Sequence, residues 1–425
     1  MDVKLENTPL CGRIRAISAK SDVHRFLIAA ALSDGLSSLS FTTLSADIAA
    51  TVGAIKALGA AIDLSGSDGE YTAKIQGIRK ARSGCVIDAC ECGTTARLCL
   101  PVAAALTDGF TLSGKAGLAA RPFADLVAAM HCGGATADSD RLPIRVRGRL
   151  RGGDYQIRGD VSSQYISGLL FALPLCEGDS RIRLTSPLVS AGYVDMTLDT
   201  LARFGVCIKQ EKGGYFVPGG QRYTAVSHYT AEGDWSGASF WLSAGALGGD
   251  VCVHGLDPAS RQRDREILTH LRAAGADVQV SENAVRVRGG HLRATTVDGR
   301  DIPDALPVLA ALLACADGES IITGGARLKF KESDRLQTTV DLLRALGADA
   351  DATSDGFILR GRRRLSGGTV SAANDHRIAM SAAILACRTQ SGITIRGAEA
   401  VDKSYPTFFH DYQKLGGKCH VITNG

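Results

Sequence analysis

The stretch LKFKESDRL, residues 328–336, sets Lys329, Lys331, Glu332, Asp334 and Arg335 within nine positions, just ahead of a run that reads as a helix. Such a set can move a proton through a carboxyl group while cations hold an anion beside it. It also describes an ordinary solvated turn, because most charge clusters are exposed faces. Other segments bear on the choice. Lys20, Arg25, Arg97 and Arg377 stand near the starts of Ala- and Leu-rich runs: KSDVHRFLIAAAL from Lys20, CGTTARLCLPVAAAL from Cys92 and NDHRIAMSAAILA from Asn374. The first turn of a helix leaves N–H groups unbonded and carries the positive end of the helix dipole. Helix starts that carry basic residues and share one cleft therefore make an anion site. Any one of these cations alone reads as a loop charge. Their recurrence at one phase of a repeat favours the shared cleft.

That repeat supplies the elements. Apolar segments end in Gly59, Gly133, Gly205, Gly275, Gly347 and Gly416, about every 70 residues, and each is followed by a β-prone stretch. Each glycine is expected in the left-handed position just past a helix. Helix starts recur with a similar period at Lys20, Cys92, Ser162, Asp234, Asp301 and Asn374, each expected to open on a Ser, Thr, Asp or Gly cap. The runs that follow are apolar on nearly every face, which predicts buried helices. GCVIDA, RIRLTS, VRVRG, SIITGG and GITIRG read as strands. Six α/β units fit two domains of three, with a break near Ser227–Tyr229. The opening KLENTPLCGRIRAI reads as one apolar-alternating strand, able to cross to the other domain.

Composition narrows the function. With 425 residues, 45% of them hydrophobic, the chain is long enough for two cores. A net charge of +4 and 5% aromatics do not suit a nucleic-acid binder. The N-terminal MDVKLENTPL lacks the apolar centre of a signal peptide, and no apolar run reaches membrane-spanning length. Twelve cysteines without an export signal predict reduced thiols and a cytoplasmic location. Neither paired-Cys nor H-E-x-x-H metal spacing occurs, nor a glycine-rich phosphate loop, so no metal held by a linear motif and no nucleotide cofactor are expected.

Nine segments in order carry a family resemblance: AKSDVHR, CGTTARL, LAARPF, GDVSSQYISGLL, SAGYVDMT, DIPDALP, KESDRL, NDHRIAM and DKSYPTFF. Through them the chain resembles, nearly end to end, the 5-enolpyruvylshikimate-3-phosphate (EPSP) synthase family of enolpyruvyl transferases. The resemblance implies an α/β fold of two inside-out domains, each of three βαβαββ repeats with the helices inside. Residues 18–227 would form an inserted domain, and 1–17 with 228–425 the second, with the active site in the cleft between them. It implies enolpyruvyl transfer from phosphoenolpyruvate to the 5-hydroxyl of shikimate 3-phosphate, through a tetrahedral intermediate and with release of phosphate. This is a step toward chorismate and the aromatic amino acids. It implies no cofactor, no metal, no membrane or nucleic-acid partner, and a monomer.

Residue by residue, the resemblance implies that Lys20, Gly93, Arg121, Gln164, Arg335, Arg377 and Lys403 surround phosphoenolpyruvate. Lys20, Ser21, Arg25, Ser162, Ser163, Gln164, Ser190, Asp304 and Lys331 would hold shikimate 3-phosphate. Arg suits such groups because its planar fork binds carboxylate and phosphate in pairs of hydrogen bonds. Asp304 would take the 5-hydroxyl proton, and Glu332, with Lys20, would protonate C3. His376 would support Arg377 or serve structure alone. LKFKESDRL becomes an active-site turn between strand and helix, with Ser333 or Asp334 as cap.

The chain departs from the family pattern at Glu91, where an Asn or similar residue is usual, and at Arg327, where many members have an Asn on shikimate 3-phosphate. Gly93 followed by Thr94 leaves room near the phosphate, which implies sensitivity to glyphosate, the family's phosphoenolpyruvate-competitive inhibitor. A sister transferase acts on a UDP-amino sugar and uses a mobile-loop Cys. Cys85, Cys90, Cys92 and Cys99 lie in the second repeat, but no reactive-loop insertion is visible, and buried packing is the plainer reading. A non-catalytic anion-binding scaffold is the third alternative. It would gain nothing from the carboxylates Asp304 and Glu332. Trp235 and Trp241 read as core, and Arg362–Arg364 as a solvated turn.

Overall fold

Each repeat builds a strand, a helix, a strand, a helix and an antiparallel pair. Val86–Asp88, Gly93–Leu106, Gly109–Ser113, Ala124–Cys132, Thr136–Ala137 and Ile144–Arg147 are one example. In the computed structural model, which describes residues 1–67 and 69–422, this order recurs around the chain. Among the described residues there are six four-stranded sheets and one two-stranded pair. Every four-stranded sheet has one parallel pairing followed by two antiparallel ones; in the example, Val86–Asp88 is parallel to Gly109–Ser113, which is antiparallel to Ile144–Arg147. Two compact units result, Lys20–Ala231 and Met1–Ala19 with Glu232–Gly425.

The helices are the cores of these units. Every residue of Trp235–Ala246, Leu306–Leu313 and His376–Leu385 is buried, as apolar surface on all faces requires. Trp235 and Trp241 lie wholly within the core. In the other unit, Lys20–Leu32, Gly93–Leu106 and Ser163–Ala172 are buried along most of their length. Gly168 permits the close packing there: a Cβ on it would lie 2.5 Å from the Arg97 carbonyl oxygen. The five strand candidates read from the sequence each contain a strand.

Three details differ from the sequence reading. The opening segment is two strands, Asp2–Leu5 and Cys11–Arg15, in different sheets of the same unit. Pro9 between them has no N–H to continue a ladder. Gly133 is not left-handed, at φ −87°; Gly134 takes that conformation at φ +91°. Gly133 is needed for another reason, since a Cβ there would collide with the Tyr155 hydroxyl and ring. The helix expected from Asp301 begins at Leu306, after turns, and the one expected from Asn374 is capped by Asp375. The cap before Gly93 is Cys92, whose Sγ accepts from the Thr95 N–H at 3.3 Å.

Candidate active site

In the unit Lys20–Ala231, Lys20 opens a helix and its Nζ lies 2.6 Å from Asp47 Oδ2, in the first turn of Ala46–Leu58. Ser21 follows, with Oγ 4.0 Å from Met196 Sδ. Arg25 sits one turn on and is buried. It donates from Nη1 to the Ser21 carbonyl (2.7 Å), from Nη2 to the Tyr193 carbonyl (2.8 Å) and from Nε to Thr197 Oγ1 (2.9 Å). Arg25 thus ties the helix Ala191–Arg203 to its own. Burial lowers its pKa to about 10 against the pull of Tyr193 and Asp22. Ser190, buried just before Ala191, is left-handed at φ +54°.

A second focus lies at Gly93. A Cβ on Gly93 would be 3.0 Å from Arg121 Nη1 and 3.4 Å from Arg97 Nη1, so two guanidinium groups converge on this helix start. Gln164 Oε1 accepts from Arg97 Nη1 at 2.9 Å, and Gln164 Nε2 donates to Thr94 Oγ1 at 2.8 Å. Ser162 caps the next helix, accepting from the Gln164 N–H at 3.3 Å, and Ser163 is its first residue. An anion at Gly93 would meet open N–H groups, the dipole end and both arginines.

In the other unit, the LKFKESDRL stretch is a 3-10 helix, Ala326–Phe330, then a bend, then the helix Arg335–Ala345. Asp334 is the cap, accepting from the Leu336 and Gln337 N–H groups at 3.1 and 3.3 Å. Ser333 instead donates to Asp375 Oδ2 at 3.0 Å. Arg335 is 1% exposed and meets three carboxylates: Asp375 (Nε to Oδ2, 2.8 Å), Asp304 (Nη1 to Oδ1, 2.7 Å) and Glu332 (Nη2 to Oε2, 2.6 Å). Lys331 Nζ is 3.1 Å and Arg377 Nη2 3.8 Å from Asp304. Arg377 also donates to Ser236 Oγ at 2.5 Å and to the Ser236 carbonyl at 3.1 Å. Lys403 Nζ donates to the Asn374 carbonyl at 2.6 Å. His376 is buried with Nδ1 3.8 Å from Asp375 Oδ1. Arg327, half-buried, donates to the Arg300 carbonyl at 2.9 Å.

The charges set one another's protonation. Burial pushes the Asp304 carboxyl up, but Lys331, Arg377 and Arg335 more than offset it and hold Asp304 well below the usual carboxylate range. Burial lowers the Lys331 ammonium pKa despite Asp304. Burial would lower Arg335 too, yet Asp375, Glu332 and Asp304 raise it overall.

Asp304, Lys331, Glu332, Arg335 and Arg377 thus form one cluster. Gly93, Arg121, Ser162, Ser163 and Gln164 surround another helix start, and Lys20, Ser21, Arg25 and Ser190 lie along the Lys20–Leu32 and Ala191–Arg203 pair. Asp47 and Asp375 complete these groups, although sequence reasoning gave them no site role, and the Arg97–Gln164 bond ties a helix-start cation to a predicted ligand residue. Asp375 had a signal, a cap-type residue directly before His376–Arg377. Among the described residues, the non-glycine residues with positive φ are Cys90, Ser190, Ala373 and Asn374. Each lies within a few residues of a candidate-bearing helix start, where strained backbone commonly marks a functional site.

The family model of EPSP synthase (3-phosphoshikimate 1-carboxyvinyltransferase) matches residues 5–412. The chain is 39% identical to a 3-phosphoshikimate 1-carboxyvinyltransferase of Clostridium kluyveri over 425 aligned residues, covering 98% of this chain and 97% of that one. It is 38% identical to the Methanocorpusculum labreanum protein of the same name, covering 98% and 99%. The solved EPSP synthase of Acinetobacter baumannii superposes with a TM-score of 0.81 at 26% identity, covering 99% of both chains. With two α/β units built on one strand order and a match along nearly its whole length, the chain belongs to the EPSP synthase (3-phosphoshikimate 1-carboxyvinyltransferase) family.

Proposed function

We propose that the chain transfers the enolpyruvyl group of phosphoenolpyruvate to the 5-hydroxyl of shikimate 3-phosphate and releases phosphate. The observation that carries this reading is the Asp304–Lys331–Arg335–Glu332 cluster, in which two carboxylates with different surroundings share the buried Arg335 while Lys331 pairs with Asp304. Asp304 takes the 5-hydroxyl proton as that oxygen bonds to C2 of phosphoenolpyruvate. Glu332, with Lys20, delivers a proton to C3, giving the tetrahedral intermediate. The C2–phosphate bond then breaks, C3 loses a proton and the double bond reforms. Arg121, Arg335, Arg377 and Lys403 stabilise the carboxylate and the departing phosphate, with Gly93 admitting the phosphate to the backbone. Ser21, Arg25, Ser162, Ser163, Gln164, Ser190 and Lys331 hold shikimate 3-phosphate.

As Asp304 stands, it is a weak base, because its cations favour the ionised form. Anionic substrates that engage Lys331, Arg377 and Arg335 weaken that pull and raise its basicity when the hydroxyl is in place. No metal or cofactor enters any step. The unpaired state of all twelve cysteines suits a cytoplasmic setting, and among the described residues no helix is long and apolar enough to cross a membrane. We read the working form as a monomer, sensitive to glyphosate in competition with phosphoenolpyruvate.

The test is phosphate release by purified protein without added metal. Release that requires both phosphoenolpyruvate and shikimate 3-phosphate is expected. Release with a UDP-amino sugar in place of shikimate 3-phosphate would move the protein to the sister activity, and no release with either acceptor would favour the scaffold.

A further inference from the structure

Three helix starts bring His24, Asp47 and Cys92 together in the unit Lys20–Ala231. One ligand atom from each lies within 4.8 Å of the other two, and His24 Nε2 is 4.0 Å from Cys92 Sγ. All three residues are buried, at 0%, 8% and 1% exposure. The imidazole is held from behind: Nδ1 is 2.7 Å from Thr51 Oγ1, which is 2.6 Å from Thr95 Oγ1. With Nδ1–H donated to Thr51, and the Thr51 hydroxyl donated to Thr95, the Nε2 lone pair is left on the Cys92 side. Histidines bound to metals generally carry such an outer hydrogen bond, which fixes the tautomer. Burial, reinforced by Lys20 and Arg25, keeps this ring neutral, the form that ligates.

We propose that His24, Asp47 and Cys92 form a binding site for a soft divalent cation of the Zn²⁺ or Cd²⁺ class, and that occupancy takes Asp47 away from Lys20. An N, O and S donor set suits such ions and not Mg²⁺ or Ca²⁺. Bonds of ~2.0–2.3 Å in a tetrahedron separate ligands by ~3.3–3.8 Å, so the three side chains close by up to about 1.5 Å. On binding, Cys92 loses its thiol proton to solvent and its sulfur bonds to the metal. Asp47 exchanges the Lys20 ammonium for the metal, and water fills the fourth position. Cys92 caps Gly93–Leu106; burial and Asp47 push its thiol up to about 12, so the metal must displace a proton that the site otherwise holds. Lys20 opposes binding, since its Nζ already holds Asp47 at 2.6 Å. The effect on turnover rests on the proposed role of Lys20; the binding does not.

The experiment titrates the metal-free full-length chain with Co²⁺ and then Zn²⁺. One Co²⁺ per chain, a near-ultraviolet thiolate-to-cobalt band and displacement by Zn²⁺ are expected. Cys92→Ser should lose the band, and both Cys92→Ser and His24→Gln should weaken Zn²⁺ binding about tenfold or more. Cys99→Ser, a buried thiol of the same helix, should keep band and affinity. Absence of the band in the unaltered chain, or its survival in folded Cys92→Ser, overturns the site. If Cys92→Ser fails to fold, unchanged affinity in His24→Gln overturns it instead. Saturating Zn²⁺ should slow phosphate release by the unaltered chain. Binding without slowing overturns the link to Lys20. Failure of the metal-free chain to release phosphate is a failure of the proposed function, which the titration reads independently.

Discussion

At the scale of single residues, the reading turns on carboxylates among cations. Asp304→Ala and Glu332→Ala are each expected to lower kcat by about 10²- to 10⁴-fold, the usual weight of one general acid or base, with a smaller change in KM. A scaffold that only binds anions would keep its affinity and show no rate to lose. Steady-state kinetics beside direct binding of shikimate 3-phosphate separates the two. Asp304 also makes stability depend on pH. Its carboxyl is held below the ordinary range, so its contribution is present above the unfolded carboxylate pKa and is lost as pH falls through the lowered folded value. Asp304→Asn should therefore reduce stability at pH 7 by roughly 2 kcal/mol and flatten the loss below about pH 4. Urea unfolding at the two pH values checks this; equal losses at both would contradict it.

Elements place these residues, and their ends matter most. Asp334 holds the start of Arg335–Ala345, so that Arg335, the first residue, points into the carboxylate cluster. Asp334→Ala is expected to lower stability by about 1 kcal/mol, read by thermal or chemical unfolding. The Gly133–Gly134 pair shows why an end can mislead. A glycine after an apolar run suggests one left-handed cap, but here two glycines share two tasks, close contact with Tyr155 and positive φ. Gly133→Ala should destabilise by about 1–3 kcal/mol through overpacking, although its φ suits alanine. Replacement without loss would mean that the Tyr155 ring moves freely aside.

Over the whole molecule, the chain closes its own repeats. Asp2–Leu5 lies antiparallel to both Ile393–Arg396 and Cys419–Ile422, and Cys11–Arg15 lies parallel to Asp250–His254. Tyr229–Thr230 likewise pairs with Leu36–Phe41 within the unit Lys20–Ala231. The unit containing the N-terminus therefore needs strands from both ends of the sequence. Val3 and Leu5 are wholly buried there. Leu5→Ala should cost about 2–5 kcal/mol, a loss expected of a core cavity and not of a frayed terminus. Denaturant titration would show it, and a change below about 0.5 kcal/mol would place the first strand outside the cooperative unit.

The sequence by itself determined the repeat, the buried helices, the strands and the ordered motifs that mark the family. Those features are local: apolar faces, caps and glycine ends repeat along the chain and need no knowledge of distant partners. It did not determine how KLENTPLCGRIRAI divides, because the partner strands of its two halves lie more than 200 positions away. Nor did it reveal Asp375 beneath Arg335, Asp47 beside Lys20, or the meeting of His24 with Cys92. An ion pair or ligand set across separate helices has no spacing rule along the chain. Only packing brings such groups together, and only then do burial and neighbouring charge fix which of them stay ionised.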